Sequence, residues 1–325
     1  MLGFRAALAA GLVALLSSTV SGAFTDTVVV SALWIGNSYT AKYVLPNSLR
    51  TMFRGARDNT YILMNNTEKI EWGQDLKYHY ESTDAFQTLV NGDFDYVILQ
   101  DFPGSTAASE KQKLDQYGSL FVNAAIQRGT VPVVFWTWPA EYNRSQLDGY
   151  IAMFEDFCDG RDVMASPVNA AWRHVFGQHP DYPLYNDDEL HQSPYGHYLN
   201  LCVFYSVFKH SSPAGITYRN WGEYPSAPLT QIAADTAAYL QAQAWAVVDS
   251  MFGPFTTAAR RQSAPLRVRT RADCAWVSLV GTARTGAPAD VVPALLFRPN
   301  GAVLGESSAA RCPAAGYYVR VRDGE

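Results

Sequence analysis

Four cysteines in 325 residues, none spaced as C-x-x-C, leave no cysteine zinc site to read from the sequence. The chain lacks the G-x-x-x-x-G-K-[ST] and G-x-G-x-x-G loops that cradle phosphates, so no nucleotide cofactor is expected. Its 6 histidines do not alternate with carboxylates at metal-ligand spacing, so no metal or other cofactor is expected either. Charge is scarce at 17%, with 30 acids against 25 bases, and a net charge of -5 speaks against a nucleic-acid partner. A bilayer span needs about 20 apolar residues; the one long apolar run, 6–16, is shorter. What is abundant is core material: 48% hydrophobic and 13% aromatic residues, which exclude a disordered chain.

Residues 1–23 read as a secretory signal peptide. Arg5 precedes the apolar run, and Ser21-Gly22-Ala23 is the small-x-small pattern of a cleavage site. The mature chain is therefore expected outside the cell, secreted or in the cell wall, without a membrane anchor. Asn65-Asn66-Thr67 and Asn143-Arg144-Ser145 are sequons, meaningful for a glycoprotein of eukaryotic source. Cys158, Cys202, Cys274 and Cys312 allow three pairings. Cys158 with Cys202 and Cys274 with Cys312 is favoured, because each bridge then stays within one compositional region.

That regional boundary falls near residue 255. The first 255 residues hold 15 bases and 25 acids, whereas 256–325 hold 10 Arg, no Lys and 5 acids. The expected organisation is a signal peptide (1–23), one catalytic unit (24–255) and an Arg/Ala/Pro-rich extension (256–325). Short β-like pieces at 276–280, 291–297 and 317–321 carry too little apolar content for an independent core.

Between these ends, strand and helix alternate. Continuous apolar runs at 27–35, 61–64, 96–99, 131–136 and 163–165 read as strands buried on both faces. Helices are expected at 46–57, 84–90, 109–128, 146–157, 168–176, 194–209 and 229–251. Such alternation implies right-handed crossovers. The fold class is α/β: a three-layer α/β/α sandwich with a central, mostly parallel five-stranded flavodoxin-like sheet. Reactive groups in such sheets gather beyond the carboxyl ends of the strands.

Two strand-end motifs stand out. Gly36-Asn37-Ser38 follows the first strand, where a serine on a tight turn exposes its hydroxyl and turns its own N–H toward a developing oxyanion. Asp188-Glu189-Leu190-His191 then offers a carboxylate three residues from an imidazole, so Asp188 could orient His191 toward Ser38. Structural readings remain beside these: Ser38 could cap a helix, and Ser193-Pro194 could open one.

The two motifs, in this order, resemble the SGNH (GDSL-like) hydrolase superfamily, as does the downstream run His191-Gln192-Ser193-Pro194-Tyr195-Gly196. Tyr96-Val97-Ile98-Leu99-Gln100-Asp101 is similar to its secreted carbohydrate-esterase branch. The resemblance implies a serine esterase with Ser38 as nucleophile, His191 as base and Asp188 as its orienting partner. It implies oxyanion donors from Ser38, from Gly73 and from an asparagine in a G-x-N-D block. That block is absent; Gln100 stands in its place and is expected to donate in its stead. Asn37, Trp72, His79 and Tyr80 are candidate substrate contacts, while Trp34, Trp136 and Trp138 are expected in the core. The expected substrate is an acyl ester, acetyl in the first instance, of a carbohydrate or small molecule. An acyltransferase, or an inactive carbohydrate-binding protein, is the alternative.

Overall fold

The computed structural model describes residues 26–55, 60–102, 104, 106–218, 220–221, 230–253, 294–297 and 303–307. The proposed signal peptide, the Cys274–Cys312 pair and the β-like pieces at 276–280 and 317–321 lie outside these residues. Of the remaining C-terminal extension, Ala294–Phe297 pairs antiparallel with Val303–Ser307.

Within 26–253 the elements run β1 (Asp26–Gly36), α1 (Ser38–Ala41), α2 (Leu45–Met52), β2 (Thr60–Ile70), α3 (Leu76–Ser82), α4 (Ala85–Asn91) and β3 (Tyr96–Leu99). They continue with α5 (Ala107–Lys113), α6 (Ser119–Gln127), β4 (Val131–Phe135), α7 (Leu147–Cys158), β5 (Met164–Ser166), α8 (Val168–Gln178), α9 (Pro194–Lys209) and α10 (Ala234–Phe252). The five strands form one sheet in the order β2-β1-β3-β4-β5, every pair parallel.

Strand alternation explains the layers. Successive side chains point to opposite faces. On β1, Val30, Ala32 and Trp34 join Ile98 of β3 and Val133 and Phe135 of β4 in a core roofed by α2, α8, α9 and α10. Leu33 and Ile35, with Val97, Leu99 and Val134, join the core under α3, α4, α6 and α7. Because both faces are covered, these strands carry unbroken apolar runs. Trp34, Trp136 and Trp138 are buried in these cores, as expected.

Four elements differ from the sequence expectation. β2 continues through Asn65-Asn66-Thr67-Glu68-Lys69-Ile70. It is an edge strand, where polar and charged side chains face water and protect against further pairing, so the apolar signal stops before the strand does. Helix α3 falls outside the expected helices; Asp75 caps it by accepting the Tyr78 N–H (2.9 Å), and its buried residues are only Leu76 and His79. Helix α10 begins at Ala234, with Ala237, Leu240, Ala244 and Val247 forming the expected buried face; Leu229 lies outside the described residues. The expected 109–128 helix is two helices joined by a π turn over Leu114–Gly118.

The expected Cys158–Cys202 bridge is not formed; both thiols are free. Cys202 belongs to the core under α9, whereas Cys158, at the end of α7, packs against the core on the other side of the sheet. A disulfide requires Cα atoms within about 7 Å, which a sheet between the two residues forbids. Alkylation of the unfolded, unreduced protein should therefore modify both Cys158 and Cys202. A 158–202 cross-linked peptide in the digest would contradict this arrangement.

Candidate active site

The site is built where β1 stops. Gly36 ends the strand and Asn37 caps the four-residue α1 by accepting the Tyr39 N–H (3.1 Å). This leaves Ser38, 4% exposed, at the first helical position. Asn37, not Ser38, is thus the cap.

Other segments brace this turn at Gly36 and Asn37. The Gly36 carbonyl receives the Glu71 N–H (3.0 Å) and His79 Nε2 (2.8 Å). The Asn37 N–H donates to Gln100 Oε1 (2.7 Å), which also accepts from the Thr40 hydroxyl (3.1 Å). Asn37 Nδ2 donates to the Gln74 carbonyl (2.8 Å). Gly36 is required for this close approach: a Cβ there would lie 2.6 Å from Gln100 Oε1.

His191 arrives from a loop 153 residues away in sequence. Asp188 Oδ1 accepts the backbone N–H groups of Leu190 (3.0 Å) and His191 (2.8 Å), a local turn that brings the imidazole back over its own carboxylate. Trp138 Nε1 donates to the Leu190 carbonyl (3.2 Å). Gln192 Nε2 donates to the Tyr39 carbonyl (3.0 Å), and Ser193 caps α9 through the N–H groups of Tyr195 and Gly196. The loop is therefore tied to α1 on one side and to a helix on the other.

The result is a continuous relay. Asp188 Oδ2 lies 2.8 Å from His191 Nδ1, and His191 Nε2 lies 2.7 Å from Ser38 Oγ. Partial burial raises the Asp188 carboxyl, but the His191 backbone and ring and the Leu190 N–H outweigh it and hold it down to about 2. An ionised Asp188 can only accept, so Nδ1 carries the proton and Nε2 is free to accept the serine's. Such a chain can take a proton from Ser38 as the oxygen attacks an electrophilic carbon, and return it to a leaving group.

The other candidates fare differently. Gly73 sits in an exposed turn after β2 with φ +71°, where a glycine is favoured, and a Cβ there would meet nothing within 4 Å. Trp72 beside it is 56% exposed. Gln100 does not offer its amide to the site: it is fully buried, and Nε2 donates to the Asp101 carbonyl (2.6 Å). An amide at a strand end can face either way; here the unpaired Asn37 N–H claims its oxygen. Asn37 and His79 are likewise no substrate contacts, both being fully buried and spent on the turn. Burial depresses the His79 pKa, against the pull of its bond to the Gly36 carbonyl; that carbonyl can only accept, so Nε2 carries a proton. The Tyr80 ring packs on Phe86, Tyr117 and Phe121. Tyr39, whose ring lies 5.4 Å from that of His191, and Lys42, whose Nζ lies 3.7 Å from Asp188 Oδ2, carry no motif signal.

Asp101 anchors the next layer. It accepts the Leu76 (3.0 Å) and Phe102 (2.9 Å) N–H groups, fixing α3 beside the turn. Burial pushes its carboxyl up to about 7 despite those bonds, with Asp75 and Glu110 adding to the rise. Among the described residues, no group of three or more His, Cys, Asp or Glu side chains is arranged to hold a metal ion, and no helix is long and apolar enough to cross a membrane.

No protein-family model and no curated protein matches the chain. Among solved structures, a DUF4886 family protein from Bacteroides uniformis is similar, with a TM-score of 0.52 and 16% identity over 68% of this chain and 95% of that one. This likeness shows a shared fold. A candidate SGNH hydrolase from Slackia heliotrinireducens aligns with a TM-score of 0.47 and 20% identity, covering 55% of this chain and 99% of that one. The psychrotrophic esterase EstA from Pseudoalteromonas sp. aligns with a TM-score of 0.38 and 14% identity, covering 55% and 97%.

Two outcomes follow from the bracing of the turn. Gln100→Ala leaves the buried Asn37 N–H and Asp101 carbonyl unpaired, at a cost of about 1–3 kcal/mol for each group. The variant should lose several degrees of thermal stability (about 2–4 °C per kcal/mol at this size); a loss of turnover at unchanged melting temperature would instead make Gln100 an oxyanion donor. Asp101 binds its proton up to about pH 7 in the folded chain but only to its ordinary 3.8 when unfolded. The folded state thus holds more protons between those values, and stability falls as pH rises through that window. Denaturant titrations should show Asp101→Asn flattening this slope; an unchanged slope would place the effect elsewhere.

Proposed function

We propose that this chain is a serine hydrolase of the SGNH type that cleaves ester bonds through an acyl-enzyme. The observation that carries the reading is the relay itself: Ser38 Oγ, His191 and Asp188 joined at 2.7 and 2.8 Å at the carboxyl end of a central strand. Motif order, sheet topology and the fold shared with the Bacteroides protein support it.

In the proposed reaction His191 Nε2 takes the Ser38 proton as Oγ adds to the ester carbonyl. Asp188 holds the imidazole in the required tautomer and stabilises the imidazolium. The oxyanion is met by the Ser38 N–H and, from the loop after β2, the Gly73 N–H. Collapse expels the alcohol, which leaves with the proton from His191; water, deprotonated by the same ring, then releases the acid and restores Ser38. With Gln100 spent on the turn, it does not replace the third donor expected from the family's asparagine. Losing one such donor costs about 2.7–4 kcal/mol of transition-state stabilisation. Slow turnover, favouring activated or well-positioned esters, is the expected consequence.

For substrate we propose an acyl ester, acetyl in the first instance, of a carbohydrate or small molecule, with exposed Trp72 beside the oxyanion loop as the contact surface. The signal-like residues 1–23 support action outside the cell. The test is hydrolysis of 4-nitrophenyl acetate. Ser38→Ala should reduce kcat/KM by at least about 10³-fold and Asp188→Asn by about 10²–10⁴-fold, both with unchanged circular dichroism. Unchanged turnover in Ser38→Ala would overturn the reading. An inactive wild type that still binds glycans would favour the binding-protein alternative.

A further inference from the structure

Gln192 follows His191 directly, is fully buried, and takes no part in the relay. Its Nε2 donates to the carbonyl of Tyr39 (3.0 Å) and reaches that of Lys42 (3.4 Å). Both neighbours are carbonyls, which only accept, so the nitrogen of the amide must face them. These carbonyls are left to it because the nucleophile helix breaks off early. Helix α1 is four residues long; Lys42 leaves the helical region at ψ 132°, and Tyr43 and Val44 follow at φ 58° and 48°. Carbonyls in the last turn of a helix lack donors from it, and side chains with a Cβ avoid the left-handed region. The break is pinned from two sides, by Ser48 Oγ donating to the Tyr43 carbonyl (2.8 Å) and by Gln192. Strained backbone of this kind persists only where neighbours over-determine it, and it collects at functional sites. One hydrogen bond thus joins the residue after His191 to the residue after Ser38.

We propose that Gln192 is a positioning residue whose buried amide sets the separation between Ser38 Oγ and His191 Nε2. The inference rests on the esterase reading above, since that separation matters only if Ser38 is the nucleophile and His191 its base. The other ties to the loop act differently. Trp138 Nε1 to the Leu190 carbonyl (3.2 Å), the Glu141 N–H to the Glu189 carbonyl (2.7 Å) and the Ser193 cap of α9 hold the loop from outside α1. The Asp188 bonds to the Leu190 and His191 N–H groups are local and orient the ring without locating Ser38. Besides Gln192 and the relay bond itself, ring packing and an ion pair span the gap. The Tyr39 and His191 rings lie 5.4 Å apart, a packing contact without fixed direction. Lys42 Nζ stands 3.7 Å from Asp188 Oδ2, on a carboxylate side chain 41% exposed, where water screens an ion pair and its worth is small. The amide is buried, directional and bonded to backbone, so it is the contact that resists a shift of one segment against the other. A nucleophile and base held at 2.7 Å have little slack. A misplacement of about 1 Å can cost about 10²-fold in rate.

The test compares wild type with Gln192→Met, which keeps the length and loses the donor, and Gln192→Asn, which keeps the donor one methylene short. Gln241→Met is the control. Gln241, on α10, is also a buried amide donating to two acceptors, the Tyr198 hydroxyl (2.8 Å) and the Ile216 carbonyl (2.9 Å), neither of them a group of the relay. With 4-nitrophenyl acetate, kcat should fall by about 10- to 100-fold in both Gln192 variants, with KM nearly unchanged. Gln241→Met should lose melting temperature and keep its kcat. A crystal structure of Gln192→Met should show the Ser38–His191 contact opened beyond about 3.2 Å and the Asp188–His191 contact kept at 2.8 Å. If the Met variant fails to fold, the Asn variant takes its place in each measurement. A wild-type kcat in the Gln192 variants, an equal loss in Gln241→Met, or a rise in KM alone would overturn the proposal. So would a Ser38–His191 distance still at 2.7 Å in the variant structure. A wild type that hydrolyses no ester fails the esterase reading instead, and the variant structure, which needs no turnover, still decides the positioning.

Discussion

The hydrogen bond from the Asn37 N–H to Gln100 Oε1, 2.7 Å long and fully buried, is the constraint on which the rest of the site depends. A strand that ends in a tight turn leaves backbone groups without ladder partners, and burying them unpaired is costly. Here β3 supplies an amide exactly one strand over, the loop after β2 supplies the Glu71 N–H, and α3 supplies His79. Three segments converge on three residues. What they fix is the direction of a serine that itself makes none of those bonds.

Burial disfavours charge on the two ionisable groups that do this bracing. It lowers the His79 pKa and raises that of Asp101 to about 7, in each case against the charged form. Charge is concentrated instead at the other end of the relay, where Asp188 is held ionised by N–H donors and half-open to solvent, its side chain 41% exposed. In the proposed reaction, this places the anion beyond His191, on the side away from Ser38.

Much of this was readable from residue order, and the unread part has physical causes. The five strands announced themselves because a doubly covered parallel sheet leaves no room for polar alternation; only the water-facing half of β2 escaped. Ser38, His191 and Asp188 were legible because each sits in a short motif at a chain reversal. The error at Gln100 was one of polarity: the residue type was right for a strand-end hydrogen bond, but whether an amide donates or accepts depends on which backbone group happens to face it. His79 and Asn37 looked like cleft residues for the same reason, being polar and near the site, though they hold it from behind. Lys42 was invisible because nothing local predicts two consecutive left-handed residues at Tyr43 and Val44. The Cys158–Cys202 expectation failed because composition says nothing about which side of a sheet a helix covers.

The central claim is that Ser38 is a nucleophile activated by His191, and mass spectrometry after treatment with a fluorophosphonate tests it most directly. A single adduct on the peptide containing Ser38, formed by the wild type and lost in His191→Ala, is the predicted result. An adduct on another residue, or none on folded wild-type protein, would contradict the account.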